Sequence, residues 1–150
     1  MSRSVSLVLF LVVVLGGGLL IGVATLPGAW YAALAKPAFN PPNWLFGPVW
    51  SLLYVLIAVA GWRIRQAAQA GVAKAFWTVQ LVLNFLWSPI FFGAEMPGAA
   101  LAVIIALLAA ILGFIMTAWS RDRTAAWLFV PYAAWVAFAA VLNLSIVRLN

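Results

Sequence analysis

Residues 98–119, "GAALAVIIALLAAILGFIMTAW", run for 22 positions without a charged side chain. A helix that crosses the hydrocarbon of a bilayer needs about 20 such residues, and this stretch is long enough. Four more segments have the same character, at about residues 5–26, 47–65, 75–93 and 125–147. The second is the shortest and reaches spanning length only if it runs on to Arg65. All five are continuously apolar rather than alternating over about ten residues, which argues for helices and against a β-barrel. The pattern therefore predicts an all-α membrane protein: one domain, residues 1–150, folded as a five-transmembrane-helix bundle with a long loop between helices 1 and 2.

Composition says the same. Of 150 residues, 68% are apolar and 7% charged, and the mean hydropathy is +1.17. A soluble domain carries about 25% charged residues, so this chain cannot cover a water-facing surface. The first segment has a rival reading. Arg3 followed by "VSLVLFLVVVL" and then "GVAT" resembles a signal peptide with a cleavage site. The apolar run is longer than a signal-peptide core, which favours a span.

Most reaction chemistry is excluded by absence. There is no cysteine and no histidine, so thiolate catalysis, disulfides and the commonest metal ligands are missing, and no metal site is expected. The only acids, Glu95 and Asp122, fall at opposite ends of the spans and cannot form a catalytic pair. The net charge of +6 would suggest nucleic acid in a soluble protein. Here the bases flank apolar segments, so the partner they imply is the lipid bilayer. Arg3, Arg63, Arg65, Lys74, Arg121 and Arg123 fall at the N-terminal end of the bundle, and Lys36 and Arg148 at the other. That bias predicts a cytoplasmic N-terminus in a bacterial cell membrane, with the long loop and C-terminus outside.

Three helix faces carry more than lipid contact requires. Trp50, Tyr54, Ala58 and Gly61 share one face of the second helix. Trp77, Gln80, Asn84, Trp87 with Ser88, and Phe91 share one face of the third, and Tyr132, Trp135, Ala139 and Asn143 one face of the fifth. These stripes read either as interhelical packing or as the wall of a cavity. The amides could bond neighbouring helices, and tryptophans near helix ends could be interfacial anchors. Nine tryptophans exceed what two interfacial belts need, and Trp30, Trp44 and Trp50 cluster at the long loop. A cavity of indoles, phenols and amides suits a large, flat, hydrophobic ligand, with Lys36 or Arg148 at its mouth to meet a carboxylate. The loop "KPAFNPPNWLFGPVW" (36–50), with four prolines, reads as a stiff lid ending in Trp50. Gly18-x-x-x-Gly22, and Ala102, Ala106, Ala110 and Gly113 in the fourth segment, read as packing or dimer surfaces. Pro89 and Pro131 each remove a helix hydrogen bond, and Ser88 is placed to help satisfy the groups Pro89 frees.

Three blocks carry a family resemblance: "WYAALAKPAFNPPNWLFGPVW" (30–50), "QLVLNFLWSPIFFG" (80–93) and "VPYAAWVAFAAVLNLSIVRLN" (130–150). With them the chain resembles the TspO/MBR family, the tryptophan-rich sensory proteins related to the mitochondrial translocator protein, or peripheral benzodiazepine receptor. The resemblance implies a five-helix homodimer that needs no cofactor and binds a protoporphyrin-type tetrapyrrole as ligand, along with benzodiazepine-type drugs. It implies a regulatory or transport role in tetrapyrrole metabolism. The alternatives are a light-dependent porphyrin-degrading enzyme, for which Trp50 and Trp135 would be the catalytic residues, and a structural or partner-regulating membrane protein. The implied ligand-binding residues are Tyr31, Pro41, Trp50, Asn84, Trp87, Trp135 and Ala139. One departure stands out. The animal proteins' sterol pattern needs a tyrosine before the final base, and "VLNLSIVR" has none between Leu142 and Arg148.

Overall fold

The computed structural model describes residues 2–150. Five helices are long and apolar enough to cross a membrane: α1 (Arg3–Ala24), α2 (Asn43–Gln66), α3 (Gly71–Gly93), α4 (Pro97–Ala118) and α5 (Arg123–Leu149). No strand occurs among the described residues.

The helix ends follow local chemistry. The Ser2 hydroxyl accepts the Val5 N–H at 3.3 Å and caps α1. Asp122 caps α5 in the same way, accepting the Ala125 N–H at 3.0 Å. Its carboxylate also meets Arg63 of α2 at 3.0 Å, so the acid is spent on a cap and an ion pair. Pro97 opens α4, where a missing N–H costs nothing. Pro89 starts a π-helical turn over Pro89–Gly93, closed by the Ala94 N–H on the Pro89 carbonyl at 2.8 Å. Ser88 does not turn back to the helix there; its hydroxyl pairs with that of Thr25 at 2.6 Å and ties α3 to the end of α1. Pro131 sits just after a break at Phe129 that divides α5 into Arg123–Leu128 and Val130–Leu149.

Around the bundle the order is α1, α2, α5, α4, α3. The backbone of α4 packs closely along both α3 and α5. α2 approaches α5 most closely at Arg123–Leu128. Toward the loop end those two helices diverge, and aromatic side chains occupy the interval. α1 is the least embedded span: only Val14 and Gly18 are buried in it.

Glycines set several close contacts, two of them the tightest. A Cβ on Gly18 would lie 2.3 Å from the Tyr54 ring, and one on Gly61 would lie 2.3 Å from the Trp77 indole. Gly22, the other half of the expected Gly-x-x-x-Gly surface, meets nothing. Gly18 therefore serves packing inside the chain, because α1 needs room where Tyr54 projects, as it does at Gly17 where Phe85 projects. In α4 the expected small-residue side divides: Ala110 is buried and Gly113 faces Phe76, while Ala102 and Ala106 are exposed.

The loop differs from its expected form. It contains a short helix, Ala29–Ala33, and α2 begins at Asn43, ahead of the expected residue 47. Pro42, at φ −62° and ψ 144°, is the N-cap, so Trp44 belongs to the first turn of α2. Trp44 is 72% exposed there.

Gly18→Ala and Gly61→Ala should each cost about 1–3 kcal/mol, the usual penalty for overpacking a filled interior. Gly22→Ala should leave stability unchanged or slightly raised, since it meets open space. Chemical unfolding in detergent micelles checks all three.

Candidate ligand-binding site

The polar groups of the interior form one connected chain. The Tyr54 hydroxyl donates to Asn84 Oδ1 at 3.2 Å. Asn84 Nδ2 donates to the Tyr132 hydroxyl at 2.7 Å, which donates in turn to Gln80 Oε1 at 2.9 Å. Helical spacing puts Gln80 and Asn84 one above the other on α3, so both reach the single phenol of α5. All four residues are buried. The chain ends on an unpaired donor, for Gln80 Nε2 has no acceptor although it is shielded from solvent. The indole N–H of Trp135 is buried and unpaired as well. Leaving a buried donor unsatisfied costs about 1–3 kcal/mol. A ligand that brings an acceptor would recover that cost.

Aromatic rings wall the interval between α2 and α5. Phe46 meets Trp135 with centroids 5.9 Å apart, and Trp135 meets Phe138 at 5.6 Å. Phe39 from the loop joins Phe138 at 6.2 Å. One turn below Phe46, Trp50 lies 5.5 Å from Tyr54 and 6.4 Å from Tyr132. These separations are those of attractive edge-to-face and tilted pairs. Ala139 is half-buried in the same cluster.

The loop adds an open cleft of about 470 Å³, lined by residues that include Tyr31, Lys36, Asn40 and Pro41. Lys36 holds its ammonium 4.5 Å from the centre of the Tyr31 ring and donates to the Leu34 carbonyl at 3.1 Å. Burial raises the Tyr31 phenol above its usual pKa, and the Asn40 amide opposes this more weakly. Tyr31 therefore stays a neutral donor at physiological pH. Asn40 Oδ1 is buried with no partner. The cleft thus offers a cation and an acceptor beside an aromatic floor.

The loop is tied down at the far end of the chain. Asn150 Oδ1 accepts the Ala35 N–H at 3.0 Å and Asn150 Nδ2 donates to the Ala35 carbonyl at 2.9 Å. Tyr31 packs on Phe92 at 5.2 Å and Phe91 at 6.2 Å. Phe91 stacks on Trp87 at 5.1 Å.

The seven residues marked out by sequence thus fall into three connected neighbourhoods. Tyr31 and Pro41 line the loop cleft. Trp50, Trp135 and Ala139 belong to the aromatic interval. Asn84 and Trp87 hold the interior together: Asn84 within the polar chain, and Trp87 by donating to Asn143 Oδ1 at 3.1 Å, whose Nδ2 reaches the Pro97 carbonyl at 2.9 Å. Phe46, Phe138, Asn40 and Asn150 were not marked out. Phe46 and Phe138 carry only the apolar signal of any lipid-facing residue, and Asn150 is engaged across 115 positions of chain. Trp77 is a packing residue, its indole bound to the Ile57 carbonyl at 2.9 Å.

Five spans around a polar-aromatic interior, roofed at one end by a tethered loop, define an integral, multi-pass membrane protein with a candidate ligand site. The sequence matches the TspO/MBR family over residues 9–149, and the chain belongs to that family. It is 45% identical over 124 residues to a tryptophan-rich protein TspO of Archaeoglobus fulgidus, covering 81% of this chain and 80% of the relative. It is 39% identical to a tryptophan-rich sensory protein of Cereibacter sphaeroides, covering 86% and 82%. It is 36% identical to the human translocator protein, covering 81% of this chain and 75% of the relative.

Tyr132→Phe would strand Asn84 Nδ2 and Gln80 Oε1 together and should cost about 1–2 kcal/mol in thermal or chemical unfolding. Asn150→Ala should leave global stability nearly unchanged but speed hydrogen exchange at the Ala35 amide, measured by mass spectrometry.

Proposed function

We propose that this protein binds a flat, hydrophobic ligand of the tetrapyrrole type, with protoporphyrin as the representative case, and serves tetrapyrrole regulation or transport. The observation that carries this reading is the aromatic-walled interval, in which the buried Trp135 Nε1 has no acceptor, with a second unpaired donor, Gln80 Nε2, on the polar chain that joins it at Tyr132. Ring faces attract a flat conjugated ligand, and the orphaned donors supply the few oriented polar contacts that fix such a ligand in place. The neighbouring cleft of about 470 Å³ is in the range of small-molecule sites, about 300–1,000 Å³. Lys36 at its rim suits a carboxylate of the ligand. Relatives named translocator protein support a transport role.

Titrating protoporphyrin into the detergent-solubilised protein should quench tryptophan fluorescence saturably in the micromolar range. It should also raise the unfolding midpoint, as any ligand specific to the folded state must. Linear quenching with an unmoved midpoint would refute the reading.

Light-driven breakdown of the bound porphyrin, with dioxygen as oxidant, is the second reading. The placement of Trp50 against Tyr54 and Tyr132 favours it, because a row of oxidisable rings adjoins the ligand interval. Trp50→Phe and Trp135→Phe should then each slow photobleaching of bound porphyrin at least severalfold while binding persists. Equal bleaching rates in wild type and both variants would eliminate it.

Family membership carries the expectation of a homodimer, and six bases at the N-terminal end against two at the other support placing that end in the cytoplasm. Because the chain has no native cysteine, the variant Ser4→Cys tests orientation cleanly. A membrane-impermeant maleimide added outside intact cells should leave it unlabelled.

A further inference from the structure

A second recess lies at the opposite end of the bundle from the loop cleft. Its volume is about 250 Å³, and Ser2, Arg3, Ser6, Trp62, Arg65 and Gln66 line it. Arg3 comes from the first turn of α1, and Arg65 from the last turn of α2. The two helices are locked together here. Arg3 Nε donates to Gln66 Oε1 at 2.6 Å, Gln66 Nε2 to the Trp62 carbonyl at 3.0 Å, and the Trp62 indole to the Arg3 carbonyl at 3.2 Å. This closed set of bonds fixes the plane of the Arg3 guanidinium through its Nε and leaves the terminal nitrogens without a partner among the described residues. Arg65 is exposed and makes no hydrogen bond to the protein among the described residues.

Among the described residues, none nearby neutralises these two charges. The acid at this end is Asp122, already engaged by Arg63 and by the Ala125 N–H. Two guanidiniums with free donors, flanked by the hydroxyls of Ser2 and Ser6, make a site for a tetrahedral oxyanion, and guanidinium forks match phosphate oxygens closely.

The surroundings select the kind of phosphate. The recess lies at the end of a spanning helix, and farther along that helix, α1, Val5, Val8, Leu9 and Val12 form an exposed apolar strip. Trp62, half-buried beside the recess, is the residue type that settles at the level of lipid headgroups. A molecule with an anionic head and acyl tails would meet the arginines and the strip at once. We propose that this recess is a binding site for the phosphodiester headgroup of an anionic phospholipid, with an acyl chain lying along the outer face of α1.

The alternative is a diffuse basic surface that attracts anionic lipid without a defined site. Arg121 and Arg123 lie outside the recess and carry the same charge at the same end. They provide the control.

The experiment titrates the detergent-solubilised full chain with phosphatidylglycerol and follows the unfolding midpoint. Phosphatidylcholine and inorganic phosphate are run in parallel. Phosphatidylglycerol should raise the midpoint saturably, whereas phosphatidylcholine and inorganic phosphate should not. Arg65→Gln should weaken the apparent lipid affinity about fivefold, the worth of one basic side chain at an anionic surface. Arg65 bonds to no described part of the protein, so this variant should fold as wild type does, and its lipid-free midpoint checks that. The double variant Arg3→Gln/Arg65→Gln should weaken affinity further, and Arg121→Gln/Arg123→Gln should leave it at the wild-type value. Equal losses in the two double variants would overturn the proposal in favour of diffuse attraction. Equal stabilisation by phosphatidylcholine would remove the anion requirement, and equal stabilisation by inorganic phosphate would remove the lipid, and either result overturns it.

Discussion

Hydrocarbon offers no water to an unpaired amide, and that constraint organises the interior of this bundle. Gln80, Asn84, Tyr54 and Tyr132 would each be expensive to leave alone in the membrane. Together they form a relay in which each hydroxyl or amide passes its demand to the next. The relay links α2, α3 and α5, helices whose backbones are not those most tightly packed on one another. It therefore fixes the spacing around the aromatic interval without filling it with backbone. The one donor it cannot place, Gln80 Nε2, is left inside that framework.

The two ends of the molecule are built differently. At the basic end, α1 and α2 are clasped by Arg3, Trp62 and Gln66, and α2 and α5 by Arg63 and Asp122. At the loop end, contacts are mostly aromatic, and the loop is held by the Asn150 amide and the packing of Tyr31. Charged and hydrogen-bonded clasps close one mouth of the bundle, while packed aromatic rings predominate at the other.

Much of this was legible in the sequence, for a physical reason. Spanning helices need long charge-free runs, and five such runs are visible without any partner information. Helical periodicity also identified the faces that hold Tyr54, Asn84 and Tyr132. What spacing cannot show is which neighbour a face meets. Trp77 and Trp135 have the same chemistry and sit on comparable stripes, yet one indole is bound to a backbone carbonyl and the other is unpaired. Gly18 sat in a pattern that suits a dimer face, but its use is to admit Tyr54. The start of α2 was misplaced because Pro41 and Pro42 read as loop, although a proline before the first turn is compatible with a helix start, which strands no N–H. The Asn150 clasp joins chain positions too far apart for any local pattern to announce.

The order of helices around the bundle bears on how the protein is made. α3 packs on α4 and α4 on α5, so these contacts form between segments that leave the ribosome in succession. The aromatic interval is different: its walls are α2 and α5, separated by two whole spans. Until α5 is synthesised, Phe46 and Trp50 have no partner from that helix and must face lipid or a chaperone. The site is therefore the last part of the molecule to come into being, and a chain stalled or cut before α5 would hold the most local helix contacts yet none of the enclosed surface. Biogenesis itself would separate the bundle's stability from the completion of its candidate site.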